Sequence, residues 1–256
     1  MNLPYLNLIS NQSFAQEKNV FWYNIKMKNK IIAHRGIHNK EIPENSLLAC
    51  RLALGQNYAI EFDVHLSRDN KLVVIHDNNL KRMTGKKGSV RKLTLEEIKK
   101  HNLLKTNEKI PTLGEILDLV DGKVLLDIEI KNTFKVKKIC NLVLNELEKY
   151  KGEFLLKSFN PLIVKKLKKM SNLKVGILMT KNSPNWLYNL IVKTKLFYLF
   201  RFDFIAIDKK MLSTNYYNKY VDKFPIYVWT FDSIEEANEY IKQYPKINPI
   251  CNGLDM

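Results

Sequence analysis

"KIIAHRGIHNKEIPENSLLACRLALGQNYAIEFDV", residues 30 to 64, holds one strand, one helix and a second strand in succession. KIIAH is an apolar run that ends on His34 and Arg35, with Gly36 supplying the turn. Pro43, Glu44 and Asn45 signal a helix start; SLLACRLAL carries the helix and Gly55 closes it. YAIEFDV is apolar again, broken only by Glu61 and Asp63. Runs this apolar suit strands covered on both faces, as in a parallel sheet with helical crossovers. A strand end needs a turn residue. It does not need an imidazole and a guanidinium side by side, so His34 and Arg35 ask for a second explanation.

The alternation continues to the C-terminus. KVLLDIEI, EFLLKSF, LKVGILM, FDFIAID, FPIYVWT and KINPIC bring the strand candidates to eight, with KLVVIH as a short extra one. Between them, Thr112-x-x-Glu115 and Ser233-x-x-Glu236 read as capping boxes. Asn160-Pro161 reads as a cap followed by proline at the first helical position. Val136, Ile139, Cys140, Val143 and Leu147 keep the spacing of one helical face. Eight strands interleaved with helices predict an α/β fold, a single-domain (β/α)8 TIM barrel over residues 30–256, after an N-terminal extension, 1–29. No GxGxxG or GxxxxGK[ST] favours an open sheet. In such barrels the chemistry sits at the C-terminal strand ends, which is where His34 and Arg35 fall.

At 256 residues, 45% hydrophobic and 27% charged, the chain has the size and composition of one such barrel. Cys50, Cys140 and Cys251 show no CxxC spacing and point to a reducing, cytoplasmic setting. The net charge of +16 admits two readings, a lysine-rich composition or an anionic partner. Its spread along helices such as VKKLKKM, without any RNA-binding signature, excludes nucleic acid as the expected partner. No stretch is apolar over the roughly 18 residues that a transmembrane helix takes.

Polar residues inside the strands carry the chemistry. Glu61 and Asp63 are two apart and share a face, as do Asp127, Glu129 and Lys131. Carboxylates about 4 Å apart repel by roughly 4 kcal/mol at an effective dielectric of about 20. Glu61, Asp63 and Glu129 at one barrel mouth therefore call for a divalent cation, and all-oxygen ligands favour Ca²⁺ or Mg²⁺. KLVVIHD adds His76, a second imidazole at a strand end. Arg35 and Lys131 suit phosphate oxygens. Two histidines suit one proton removal and one proton donation, each typically contributing about 10²–10⁴ in rate.

The chain also resembles the glycerophosphodiester phosphodiesterases, through IAHRG, PENSLLAC, AIEFDVHLSRDNKLVVIHDNNLKRMTG, IPTLGEIL and LLDIEIK, with thinner echoes at KSFNP and VWT. The resemblance implies metal-dependent hydrolysis of a small glycerophosphodiester to glycerol 3-phosphate and an alcohol. It assigns His34 and His76 as acid and base, Glu61, Asp63 and Glu129 as metal ligands, and Arg35 and Lys131 as phosphate contacts. Glu44 of the PEN element is implied near the site. The family mechanism uses the substrate's neighbouring glycerol hydroxyl as first nucleophile and then water. Three positions depart from the family pattern: Asp127 stands where Asn is common, His65 where Gln is frequent, and Asn252 lacks a following proline.

Residues 184–204, PNWLYNLIVKTKLFYLFRFDF, interleave Trp186, Leu190, Phe197, Leu199 and Phe200 with Lys193, Lys195 and Arg201. One reading is a barrel helix packed on the sheet. The other is an interfacial helix that contacts anionic membrane. The second would make the substrate a lysolipid, by a lysophospholipase D-type or sphingomyelinase D-like reaction. A catalytically idle membrane-binding module is the reading from another class.

Overall fold

The computed structural model describes residues 31–181 and 200–254. Every predicted strand forms: β1 Ile32–His34, β2 Ala59–Leu66, β3 Leu72–Val74, β4 Leu126–Ile130, β5 Phe154–Ser158, β6 Val175–Met179, β7 Phe204–Asp208, β8 Ile226–Phe231 and β9 Ile247–Cys251. Their residues are almost all buried, as the apolar runs require. Eight of them pair in parallel in the order β1-β2-β4-β5-β6-β7-β8-β9. β9 then pairs back with β1, which closes the barrel. β3 is the extra short strand; it runs antiparallel to the end of β2.

The helices in chain order are α1 Leu47–Gly55, α2 Lys81–Thr84, α3 Leu95–Lys99, α4 Leu113–Val120, α5 Val136–Glu148, α6 Pro161–Met170, α7 Asn215–Tyr220 and α8 Ile234–Gln243. Thr112 makes both halves of its capping box, and Asn160 caps α6 with Pro161 behind it. Ser233 caps α8, but the Glu236 carboxylate turns to the Asp232 N–H instead of completing the box. The cap of α1 is Ser46, not Asn45: the Ser46 hydroxyl accepts from the Ala49 N–H. Asn45 sits at φ 56°, a left-handed conformation that Asn tolerates, and its amide is used elsewhere.

Among the described residues burial separates three apolar bodies. Ile32, Ala59, Leu125, Leu155, Phe204 and Ile250 cluster together in the barrel. Ile32 and Ala59 each lie two residues before a site residue, so they share that residue's inward face. The large core lies between the sheet and its helices, where Ile139, Cys140, Val143 and Leu147 of α5 pack as their spacing predicts. A satellite follows β2: Val73, Ile75, Leu80, Met83, Val90, Ile98, Leu103 and Ile110 pack on one another as a separate cluster.

Gly36 makes the turn after β1 possible. Its φ is +76°, and a Cβ there would come within 2.6 Å of the Ala49 backbone. Gly36→Ala is expected to destabilise by well over about 1 kcal/mol, measured as a lower midpoint in urea.

Candidate active site

The barrel's register assembles the site. His34 pairs with Glu61, Glu61 with Asp127, Asp63 with Glu129, and Glu129 with Lys157. Four neighbouring strands thus deliver an imidazole, four carboxylates and a lysine to one end of the barrel. A cavity of about 260 Å³ opens there, lined by His34, Arg35, Glu61, His76, Glu129 and Lys131, with Phe159 and Trp229 on an aromatic wall. All the predicted site residues meet at or beside this cavity, Asp63 beneath it and Glu44 at its edge.

Glu61, Asp63 and Glu129 are buried, and their nearest ligand oxygens lie within 4.8 Å of one another. Cations balance part of this charge. Lys131 Nζ donates to Asp63 Oδ1 at 2.9 Å and to Glu129 Oε1 at 2.7 Å. Arg35 Nε lies 3.3 Å from Asp63 Oδ2. Burial opposes ionisation of Asp63, but Lys131 and Arg35 outweigh it and hold the carboxyl well below its usual range. Glu61 goes the other way: burial pushes it up to about 8, despite Lys157. A buried carboxyl that resists ionising until more positive charge arrives, beside two further buried carboxylates, fits a hard divalent cation such as Ca²⁺ or Mg²⁺.

Each histidine is oriented through its Nδ1. His34 Nδ1–H donates to Asn252 Oδ1 at 2.6 Å, leaving Nε2 on the Glu61 side, 3.9 Å from Oε2. Burial lowers the His34 pKa to about 3, with Arg35 adding to the effect, so the ring is neutral at pH 7. His76 Nδ1–H donates to Asp77 Oδ1 at 2.8 Å. Asp77 also receives Arg82 Nε at 2.8 Å. The Arg82 guanidinium clasps both Glu44 oxygens at 2.7 Å, and Arg35 Nη1 donates to Glu44 Oε1 at 2.8 Å. Glu44 is therefore the joint between the β1 loop and the satellite that carries His76. Burial raises its pKa, yet the two arginines bring it down to about 2.

Sequence reasoning missed several members of this arrangement. Asn45 Nδ2 donates to Asp63 Oδ2 at 2.9 Å, and the Asp63 N–H returns a bond to Asn45 Oδ1 at 3.2 Å. The Asn of PEN is thus a site residue, and its place in a recognised motif was the available signal. Asp77 and Arg82 lie inside the matched stretch but had no assigned role. Lys157, half visible as the lysine of an apolar strand, is buried against Glu61 and Asp127. His65 is not drawn into the carboxylate cluster; its Nε2–H donates to the His76 carbonyl at 3.1 Å. Of residues 184–204, positions 184–199 lie outside the described residues, as does the extension 1–29. Among the described residues, no helix is long and apolar enough to cross a membrane.

A parallel (β/α)8 barrel with paired histidines, a carboxylate cluster and two cations at its C-terminal mouth defines a phosphodiesterase-type hydrolase site. The family model for the glycerophosphoryl diester phosphodiesterase family matches residues 34–244. The chain belongs to that family. It is 40% identical over 165 residues to a glycerophosphodiester phosphodiesterase of Caldanaerobacter subterraneus subsp. tengcongensis, covering 59% of this chain and 67% of that one. Matches to relatives from Bacillus altitudinis and Bacillus subtilis span 54% and 44% of those proteins. The solved glycerophosphodiester phosphodiesterase of Thermotoga maritima superposes with a TM-score of 0.68 at 26% identity, covering 88% of this chain and 94% of that one. A phosphodiesterase of Oleispira antarctica, solved with the product sn-glycerol-3-phosphate, superposes with a TM-score of 0.74 at 22% identity, covering 87% and 92%.

Proposed function

We propose that this protein hydrolyses small glycerophosphodiesters to glycerol 3-phosphate and an alcohol. The observation that carries this is the meeting of two imidazoles, each anchored through Nδ1, at one cavity with the buried carboxylate triad. The product bound to the Oleispira barrel supports the same substrate class.

Arg35 and Lys131 line the cavity and would seat the phosphate oxygens. Neutral His34 takes the proton of the substrate's own glycerol hydroxyl as it attacks phosphorus, and His76 gives its proton to the departing alcohol oxygen as that phosphorus–oxygen bond breaks. When water then opens the cyclic phosphate the two rings exchange roles: His76 takes the water's proton and His34 returns its own to the glycerol oxygen. Asn252 and Asp77 fix which ring nitrogen does the work, because each occupies Nδ1. Glu61, Asp63 and Glu129 would hold a divalent cation, Ca²⁺ or Mg²⁺, whose charge stabilises the phosphoryl oxygens. A cytoplasmic setting belongs to this reading and is supported by three cysteines that are free and buried.

The test is glycerol 3-phosphate release from glycerophosphocholine by the purified protein, with and without EDTA, adding Ca²⁺ or Mg²⁺ back. Turnover abolished by EDTA and restored by one metal is expected. Turnover indifferent to EDTA would reject the triad as ligands. Turnover seen only with lysolipid micelles would transfer the reading to the lysophospholipase D-type reaction.

A further inference from the structure

Asp127 and Lys157 are charged, among the most buried residues of the protein, and unused by the mechanism above. Lys157 Nζ donates to Asp127 Oδ2 at 2.6 Å and lies 3.3 Å from Glu61 Oε1. The other Glu61 oxygen, Oε2, accepts the Arg35 backbone N–H at 3.2 Å. Glu61 is thus gripped at both oxygens, by the β1 turn on one side and by Lys157 on the other. Among the described residues Asp127 Oδ1 has no hydrogen-bond partner, and Lys157 is the one group that Asp127's carboxylate bonds.

We infer that Lys157 is a positioning residue that sets the orientation of Glu61 toward the divalent cation, with Asp127 as the hydrogen-bond partner that keeps Lys157 aimed. This rests on the reading of Glu61 as a metal ligand. The physical reason is geometric. A glutamate has three rotatable bonds, and a ligand free to rotate must be ordered when the cation binds. Groups that orient ligating carboxylates typically govern metal affinity by 10–100-fold. Lys157 also explains why an extra carboxylate beside the triad does not join it. The register places Asp127 level with Glu61, yet its bonded oxygen is turned to the lysine. Asp127 answers the question left by its departure from the family's Asn: it binds a lysine.

Removing both charges separates orientation from electrostatics. Asp127→Asn with Lys157→Met leaves the net charge of the site unchanged and removes the ammonium nearest Glu61, a change that by charge alone favours a cation, so a weaker affinity reports the lost placement of Glu61. The measurement is calorimetric titration of Mg²⁺ and of Ca²⁺ into the metal-free protein, alongside its thermal midpoint. The expected result is a folded double variant whose cation affinity is weaker by about tenfold or more. Affinity within twofold of the parent would overturn the inference. Asp127→Asn with Lys157→Gln serves if the first pair does not fold. Failure of both to fold would make the pair structural and would also overturn it. A parent protein that binds neither cation would instead show that the metal reading itself is at fault.

Discussion

His34→Ala is expected to lower kcat on a glycerophosphodiester by about 10²–10⁴-fold, with the circular dichroism spectrum unchanged. The imidazole is placed for proton transfer and little else. Its Nδ1 is committed to Asn252 and its Nε2 is the nitrogen on the Glu61 side. Its burial keeps it neutral, the form that accepts a proton. Truncation leaves the Asn252 carbonyl oxygen without its donor, a stability cost of about 1–3 kcal/mol, which a domain of this size tolerates. His76→Ala should fall in the same range, and the double variant should be little worse than either, because the two act in one displacement. A kcat within threefold of the parent for His34→Ala would remove it from the chemistry.

Lys157→Met alone should be the most damaging single substitution for stability, costing about 3–5 kcal/mol and lowering the thermal midpoint by roughly 10 °C. Methionine is apolar and nearly as long, so packing alone predicts a mild effect. The penalty comes from what is left behind: Asp127, wholly buried, loses its one donor, and Glu61 loses one of two. Asp127 then sits uncompensated in the barrel, while Glu61 keeps the Arg35 backbone N–H. Adding Asp127→Asn should recover much of the loss. Two midpoints that differ by less than about 2 °C would mean that Asp127 does not carry a charge in the parent.

The barrel was legible because its strands are buried on both faces, so their apolar runs are almost unbroken. The few polar residues that interrupt them stood out for that reason: Glu61, Asp63, Glu129 and Lys131 were found this way. What stayed hidden depends on neighbours remote in the chain. Asn252 meets His34 across 218 positions, and Arg82 reaches Glu44 across 38. Asn252 stands in the family pattern and Arg82 in a matched stretch, but nothing local marks what either one touches. Asn45 reads in sequence only as part of a helix start, because Asn and Ser serve equally well as caps there. Only its left-handed backbone and its bonds to Asp63 show which of the two does the capping.

The satellite cluster after β2 has a meaning for how such a protein can change. His34 belongs to the barrel, whereas His76 is delivered by a body with its own apolar interior, clasped to the barrel rim by Arg82 and Glu44. On the proposed mechanism the two proton-handling groups are therefore held by separate apolar bodies. Substitutions inside the satellite would then reshape the side where the alcohol departs and leave in place the residues proposed to hold phosphate and metal. A change of head group would need changes in one small cassette and none in the barrel.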